Sequence, residues 1–277
     1  MDFIDILTKK TVNLEDSDLI TLKEKSNDFL ISVPHSGQLI PSNSIDKFNL
    51  DAHALPLGTD FYTDLIADID KGMILTTKLS SSFVNVSRFK SSPNDPSLPK
   101  HLNQACYEVG SLTDEQIQIK PYSQEEINLA LKYYDLYHQK IKDTIAKLNS
   151  PKVIIDLHSM SSLALPNTPD AGNIRPDLNT GTLNDTSASS EIIDKFNDAL
   201  QDASPDIVFR KNHPYNGGVI TQLYGQPDKD IHCIQLEIKK EWFMNESLEG
   251  GDFKANSDGV QEMKRILQDT LYLFLKN

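Results

Sequence analysis

At 277 residues with 38% hydrophobic side chains, the chain exceeds the modal domain length yet fits one α/β domain with insertions, and it can bury a sizeable core. A formal charge of −13 argues against general affinity for nucleic acid or anionic membranes, which need Lys/Arg-rich surfaces; a small anionic partner is still admitted where an Arg or a cation dominates locally. Residues 1–10 lack the basic start and apolar core of a signal peptide, no run approaches the ~18 apolar residues of a spanning helix, and Cys106 and Cys233 belong to no paired motif, so a soluble, cytoplasmic chain without a disulfide framework is expected.

In chain order, Phe-Leu-Ile-Ser-Val at 29–33 reads as a strand that Pro34 stops by removing a ladder donor. A helix is predicted over 59–70, opened by Gly58-Thr59-Asp60, where Thr59 or Asp60 is a candidate N-cap. Apolar runs at 74–79 and 83–86 read as strands, and a polar, Pro- and Asn-rich loop follows at 88–105. The clearest helical pattern is 123–148: Ser123 and Glu126 have capping-box spacing, and Ile127, Leu131, Tyr134, Ile141, Ile145 and Leu148 recur at helical intervals. Tyr133, Tyr134 and Tyr137 fit that helix as core residues. A strand at 153–157 leads into 161–188, which is longer than an ordinary connection and is expected to act as a lid. A helix at 189–202, strands at 207–209 and 233–238, and a helix at 258–275 complete the pattern. Strands that are nearly continuous apolar runs, alternating with helices, predict an α/β fold: a mixed, mainly parallel sheet flanked by helices on both faces, in a single domain over 1–277.

Chemistry is concentrated at strand ends. In Val-Ile-Ile-Asp-Leu-His-Ser-Met (153–160), Asp156 and His158 are two positions apart and share a face at the carboxyl end of a strand, where α/β sheets bind ligands. A metal ligand, an acid/base and a hydrogen-bonded structural imidazole are all compatible with that setting. His35 follows the strand at 29–33 in the same way, and Asp60 stands at a helix start. Glu237 lies inside an apolar strand, where a carboxylate needs a partner; a salt bridge or an activated water would each provide one. Two imidazoles, a third oxygen ligand and a separate buried carboxylate meet the needs of a catalytic zinc: three protein ligands, an open position for water, and a base outside the coordination shell. His53, His101, His138, His213 and His232 have no comparable setting and read as surface or structural residues.

The blocks Val-Pro-His-Ser-Gly (33–37), Gly-Thr-Asp (58–60), Asp-Leu-His-Ser-Met (156–160), Arg-Pro-Asp (175–177) with Gly181-Thr182, Asn-His-Pro-Tyr-Asn-Gly-Gly (212–218) and Gln-Leu-Glu-Ile (235–238) resemble, in order, the N-formylglutamate amidohydrolase family. They extend over roughly 30–245. The resemblance implies a fold like that of the zinc carboxypeptidases and aspartoacylase, with one Zn2+ held by His35, His158 and Asp60. Glu237 is then the general base, Asp156 orients an imidazole from outside the ligand shell, and the substrate is a small anionic N-acyl amino acid, N-formyl-L-glutamate first, as in histidine catabolism. Arg88, at the end of 83–88, suits bidentate capture of a carboxylate. Related enzymes carry Asp-Leu-Asn-Arg where this chain has Asn85-Val86-Ser87-Arg88, so the accepted amino acid is expected to differ before the chemistry does. Ser87, Arg175, Tyr215, Asn212, Gly217 and Gly218 complete the expected substrate site; Arg175 would meet a second carboxylate or pair with Asp177. Another N-acyl amino acid amidase, a carboxypeptidase-like peptidase, and a binding protein that has kept the fold without catalysis are the alternatives.

Overall fold

The computed structural model describes residues 1–90, 113, 115–168, 170–246 and 252–276. Its strands are β1 (Asp2–Asp5), β2 (Thr11–Asn13), β3 (Ile20–Glu24), β4 (Leu30–Val33), β5 (Leu39–Pro41), β6 (Met73–Thr77), β7 (Lys152–Met160), β8 (Leu178–Gly181), β9 (Phe209–Lys211) and β10 (Ile231–Lys239). The helices are α1 (Ala54–Leu57), α2 (Thr63–Ile66), α3 (Gln124–Lys147), α4 (Ser190–Ala203), α5 (Val219–Tyr224) and α6 (Ser257–Lys276). A seven-stranded sheet has the order β3-β6-β4-β7-β10-β8-β9. The pairs β6–β4, β4–β7, β7–β10 and β8–β9 are parallel, whereas β3–β6 and β10–β8 are antiparallel. The expected α/β architecture with a mixed, mainly parallel sheet is therefore present. A small antiparallel sheet, β2-β1-β5, stands beside it.

Strand alternation assigns the two faces. Ile31, Val153, Ile155, Ile234, Leu236 and Ile238 pack with α4 and α6 in one core cluster. Leu30, Ile154 and Cys233 pack with Ala130, Tyr133 and Tyr137 of α3 and with Ile220 and Tyr224 of α5 in the other. Residues two positions apart share a face, so Asp156 and His158 lie on the α3 side of β7, and Gln235 and Glu237 on the α3 side of β10. That face is apolar at the amino ends of the central strands and turns polar toward their carboxyl ends, which places the site. Ser123 caps α3 through the expected capping box, with Glu126 closing it reciprocally, an arrangement that typically stabilises a helix by about 1 kcal/mol.

Several predicted elements differ. Residues 83–86 form turns and no strand: Phe83 and Val84 donate back to the Ser80 carbonyl, and the apolar side chains are buried in the α3-side cluster. An apolar run of that length reports burial, which a buried turn satisfies as well as a strand does. The helix expected over 59–70 is reduced to α2, preceded by Tyr62 at φ 66°, so neither Thr59 nor Asp60 caps it. The strand expected at 207–209 is displaced to β9, and 161–188 contains β8, inserted between β10 and β9. Most of the loop predicted at 88–105, with His101, and also Cys106 lie outside the described residues.

Candidate active site and metal centre

β4, β7 and β10 are adjacent and parallel, so their carboxyl ends deliver three side chains to one place. His35 follows β4, His158 is near the end of β7, and Glu237 is paired in register with His158 on β10. Asp60 joins them because its backbone N–H donates to the His35 carbonyl at 3.0 Å, which holds the 58–60 turn against the end of β4. His35, Asp60 and His158 each offer a ligand atom, all within 4.8 Å of one another. Asp60 Oδ2 is 3.1 Å from His158 Nδ1 and 3.6 Å from His35 Nδ1, while its Oδ1 accepts from the Ser159 hydroxyl at 2.9 Å.

Each imidazole is also held from behind. His35 Nε2 lies 2.9 Å from Asn85 Oδ1, and His158 Nε2 lies 3.1 Å from Asp156 Oδ2. Both far nitrogens therefore meet acceptors, which puts the proton there and leaves each Nδ1 turned to Asp60. Burial opposes charge on His158, yet the carboxylates of Asp156 and Asp60 outweigh it and hold the imidazolium well above its usual range. His35 moves the other way: burial lowers it, and the neighbouring His158 adds to that. For Asp60, burial works against ionisation, but the two imidazoles prevail and keep it ionised. A carboxylate converging with two oriented Nδ1 atoms is a donor set that fits a small divalent cation, which would take the place of the proton His158 carries at Nδ1.

Glu237 is 5% exposed. Its Oε1 accepts from Gln235 Nε2 at 2.7 Å, and its Oε2 is buried without a hydrogen-bond partner among the described residues. Burial raises its pKa to about 7, with His158 and Arg175 pulling it down and Asp60 pushing it up. Gln235 was not singled out in the sequence, although the two-residue alternation that joins Asp156 to His158 also joins Gln235 to Glu237. Asn85 stood out only as a departure from Asp-Leu-Asn-Arg; its contact with His35 spans 50 residues of sequence and required the fold.

The expected substrate residues divide into two groups. Arg88 is half-buried, burial lowers its pKa, and among the described residues no carboxylate pairs with it. Its one side-chain hydrogen bond among the described residues is Nη1 to the Ser87 carbonyl at 3.3 Å. The Ser87 hydroxyl is buried without a partner among the described residues. Tyr215 lies within electrostatic reach of Arg88, Arg175 and Glu237, and burial followed by Glu237 keeps its phenol protonated. Arg175 stacks over the Tyr215 ring at 5.0 Å. Its partner is Asp170, by a bidentate pair with both bonds at 2.9 Å, plus the Ser161 hydroxyl at 2.9 Å. The alternative pairing with Asp177 does not form, because Asp177 binds Lys239 at 2.6 Å.

Asn212, Gly217 and Gly218 meet protein atoms. Asn212 Oδ1 accepts from the Thr182 N–H at 2.8 Å, and its Nδ2 donates to Asp185 at 3.3 Å. Gly217 adopts φ 127°, and a Cβ on Gly218 would sit 3.1 Å from Gln235 Oε1. Gly181, at the end of β8, touches the same loop so closely that a Cβ would fall 2.6 Å from the Gly217 nitrogen. These residues seat the 212–218 loop that carries Tyr215.

The family model described as N-formylglutamate amidohydrolase matches residues 27–244. N-formylglutamate deformylase of Pseudomonas putida is 24% identical over 255 residues, covering 89% of this chain and 91% of that protein. The Pseudomonas aeruginosa protein of the same name is 24% identical over 266 residues, covering 92% and 95%. Among solved structures, N-formylglutamate amidohydrolase from Ralstonia eutropha JMP134 superposes with a TM-score of 0.74 at 18% identity, covering 93% of this chain and 97% of its own. A gene product from Agrobacterium tumefaciens superposes at 0.58 and 15% identity, with 93% and 92% covered. The family match extends from just before β4 to just after β10 and so takes in every candidate ligand and the buried glutamate: the chain belongs to the N-formylglutamate amidohydrolase family.

Proposed function

We propose that this chain is a metal-dependent amidohydrolase that cleaves the C–N amide bond of a small N-acyl amino acid, with N-formyl-L-glutamate, giving formate and L-glutamate, as the leading substrate. The observation that carries this reading is the convergence of His35, Asp60 and His158 beside Glu237, whose Oε2 is buried without a partner among the described residues. The family membership and the names of the two Pseudomonas relatives support the formyl substrate; a place in histidine breakdown in the cytoplasm is part of the proposal.

His35, Asp60 and His158 would hold the cation, with Zn2+ the first choice for two imidazoles and one carboxylate. Bound there, it would supply Lewis acidity at the amide carbonyl and make water acidic enough to react near neutral pH. Glu237 takes a proton from water and returns it to the departing amine nitrogen, work suited to a carboxyl that burial has raised to about 7. Asp156 and Asn85 keep the two imidazoles in the tautomer that leaves Nδ1 available. Arg88 binds a substrate carboxylate, and the protonated Tyr215 hydroxyl donates to the developing oxyanion. Arg175 braces the Tyr215 ring.

A related N-acyl amino acid amidase is the second reading. It is favoured by Ser87 and Asn85 at the recognition turn and by the pairing of Arg175 with Asp170, which leaves Arg88 as the one unpaired arginine of the site among the described residues. Bound metal is measured first, followed by turnover of N-formyl-L-glutamate, N-formyl-L-aspartate, N-acetyl-L-aspartate and short peptides, with His158→Ala and Glu237→Gln as controls. One tightly bound divalent metal, lost in His158→Ala, and activity on formyl substrates lowered about 100-fold or more in both variants are expected. A metal-free protein after native purification, or full activity in Glu237→Gln, would overturn the mechanism; preference for a peptide would move the chain to a peptidase.

A further inference from the structure

Residues 85–88 carry Asn85, which holds His35, and Arg88, which is read above as the carboxylate site. No sheet ladder fixes them. Within the turn, the Arg88 N–H donates to the Asn85 carbonyl at 3.2 Å and the Ser87 N–H to Asn85 Oδ1 at 2.9 Å. Among the described residues the Arg88 guanidinium has only its 3.3 Å contact with the Ser87 carbonyl and no carboxylate to anchor it, so its direction depends on how the backbone beneath it is held. Two side chains of α3 hold that backbone. His138 Nε2 is 2.9 Å from the Val86 carbonyl, and the Tyr134 hydroxyl donates to the Arg88 carbonyl at 2.9 Å.

Tyr134 and His138 are four residues apart on one helix face, with ring centroids 4.2 Å apart. The Val86 carbonyl can only accept, which fixes the neutral tautomer with its proton on Nε2 and leaves Nδ1 to accept from the Tyr224 hydroxyl of α5 at 2.7 Å. The imidazole is 5% exposed and belongs to neither the ligand set nor the base. Core packing alone would accept an apolar ring at 138. It does not call for two donors aimed at the carbonyls that flank Ser87.

We propose that His138 and Tyr134 are positioning residues for substrate capture: they fix the 85–88 turn from α3 and thereby aim Arg88 at the substrate carboxylate. This rests on the reading of Arg88 given above. A hydrogen-bonded turn displaced by about 1 Å misplaces the guanidinium by at least as much, and misplacements of that size lower catalytic efficiency by up to about 100-fold. The loss belongs to KM, because a carboxylate remote from the reacting carbonyl is held in ground state and transition state alike.

The test uses metal-loaded protein, the best N-acyl amino acid from the panel above, and its carboxamide analogues, in which each carboxylate is replaced in turn. Arg88→Ala identifies the analogue that no longer uses Arg88. His138→Leu is expected to raise KM for the parent substrate about 10- to 100-fold with kcat retained, and to leave that one analogue unaffected. His138→Gln, which keeps a donor near Val86, restores most of the loss. Tyr134→Phe, which removes one hydroxyl and keeps the ring, gives a smaller KM increase with the same selectivity and serves should His138→Leu fail to fold. Equal losses on all substrates, or unchanged KM in both His138→Leu and Tyr134→Phe, would overturn the proposal. If Arg88→Ala itself leaves every KM unchanged, the Arg88 reading has failed and the positioning role falls with it; a selective Arg88→Ala effect beside an unselective His138→Leu effect defeats the positioning role alone.

Discussion

Replacing His138 with Gln should flatten the acid side of the protein's stability profile. Burial lowers His138 from 6.5 to about 4; Lys142 acts in the same direction, and the Val86 carbonyl, Asp135 and Asp156 oppose. The rings packed around it, Tyr134 and Tyr137 on α3 and Tyr224 on α5, carry no charge to compensate in this range. In the unfolded chain the imidazole titrates near 6.5, so between about 6.5 and 4 the unfolded state binds more protons than the native state. Stability from this group is complete above 6.5 and is lost as the pH falls. The whole shift is worth about 3 kcal/mol, of which about 2 kcal/mol has gone by pH 5. Urea unfolding of wild type and His138→Gln at pH 8, 6 and 5 measures it. Wild type is expected to lose about 2 kcal/mol more than the variant between pH 8 and 5, with other titrating groups, including His158, cancelling in the difference. Parallel profiles would refute the reasoning. They would mean that the Tyr224 hydroxyl turns to the His138 carbonyl, 3.3 Å away, and accepts the new Nδ1 proton at no cost.

Glu237→Gln should lower kcat by about 100- to 10,000-fold with metal content unchanged, as loss of a general base does; metal analysis alongside a formate-release assay checks both parts. Asn85→Asp places a carboxylate behind His35 and should make the imidazole a stronger ligand, slowing metal loss to a chelator by about 10-fold or more; unchanged release would detach Asn85 from the metal site. Gly181→Ala drives a methyl group into the Gly217 backbone and should destabilise the fold by about 1–3 kcal/mol, read as a lower melting temperature with the 212–218 loop displaced.

The strands that form the centre of the sheet were legible from their residue pattern, because β4, β7 and β10 are buried on both faces and read as nearly continuous apolar runs, interrupted by the polar residues of the site. The long helices α3, α4 and α6 were legible from periodicity, and α3 also from its cap. Residues 83–86 were misread because their side chains are as buried as a strand's while their backbone turns. The short strands β1, β2, β3 and β5 were missed: exposed residues in the first three break up the apolar pattern, and β5, though buried, is only three residues long.

Local chemistry, read from residue type and two-residue alternation, was enough to nominate His35, Asp60, Asp156, His158 and Glu237, and family resemblance ordered them into ligands, support and base. Which atoms meet was decided by the tertiary structure. Asn85 behind His35, Asp170 rather than Asp177 on Arg175, and His138 beneath the Arg88 turn are pairings between loops and helices whose relative placement no period in the sequence encodes. A strand's alternation states which face a side chain takes. Only the packing of α3 against that face determines what it finds there.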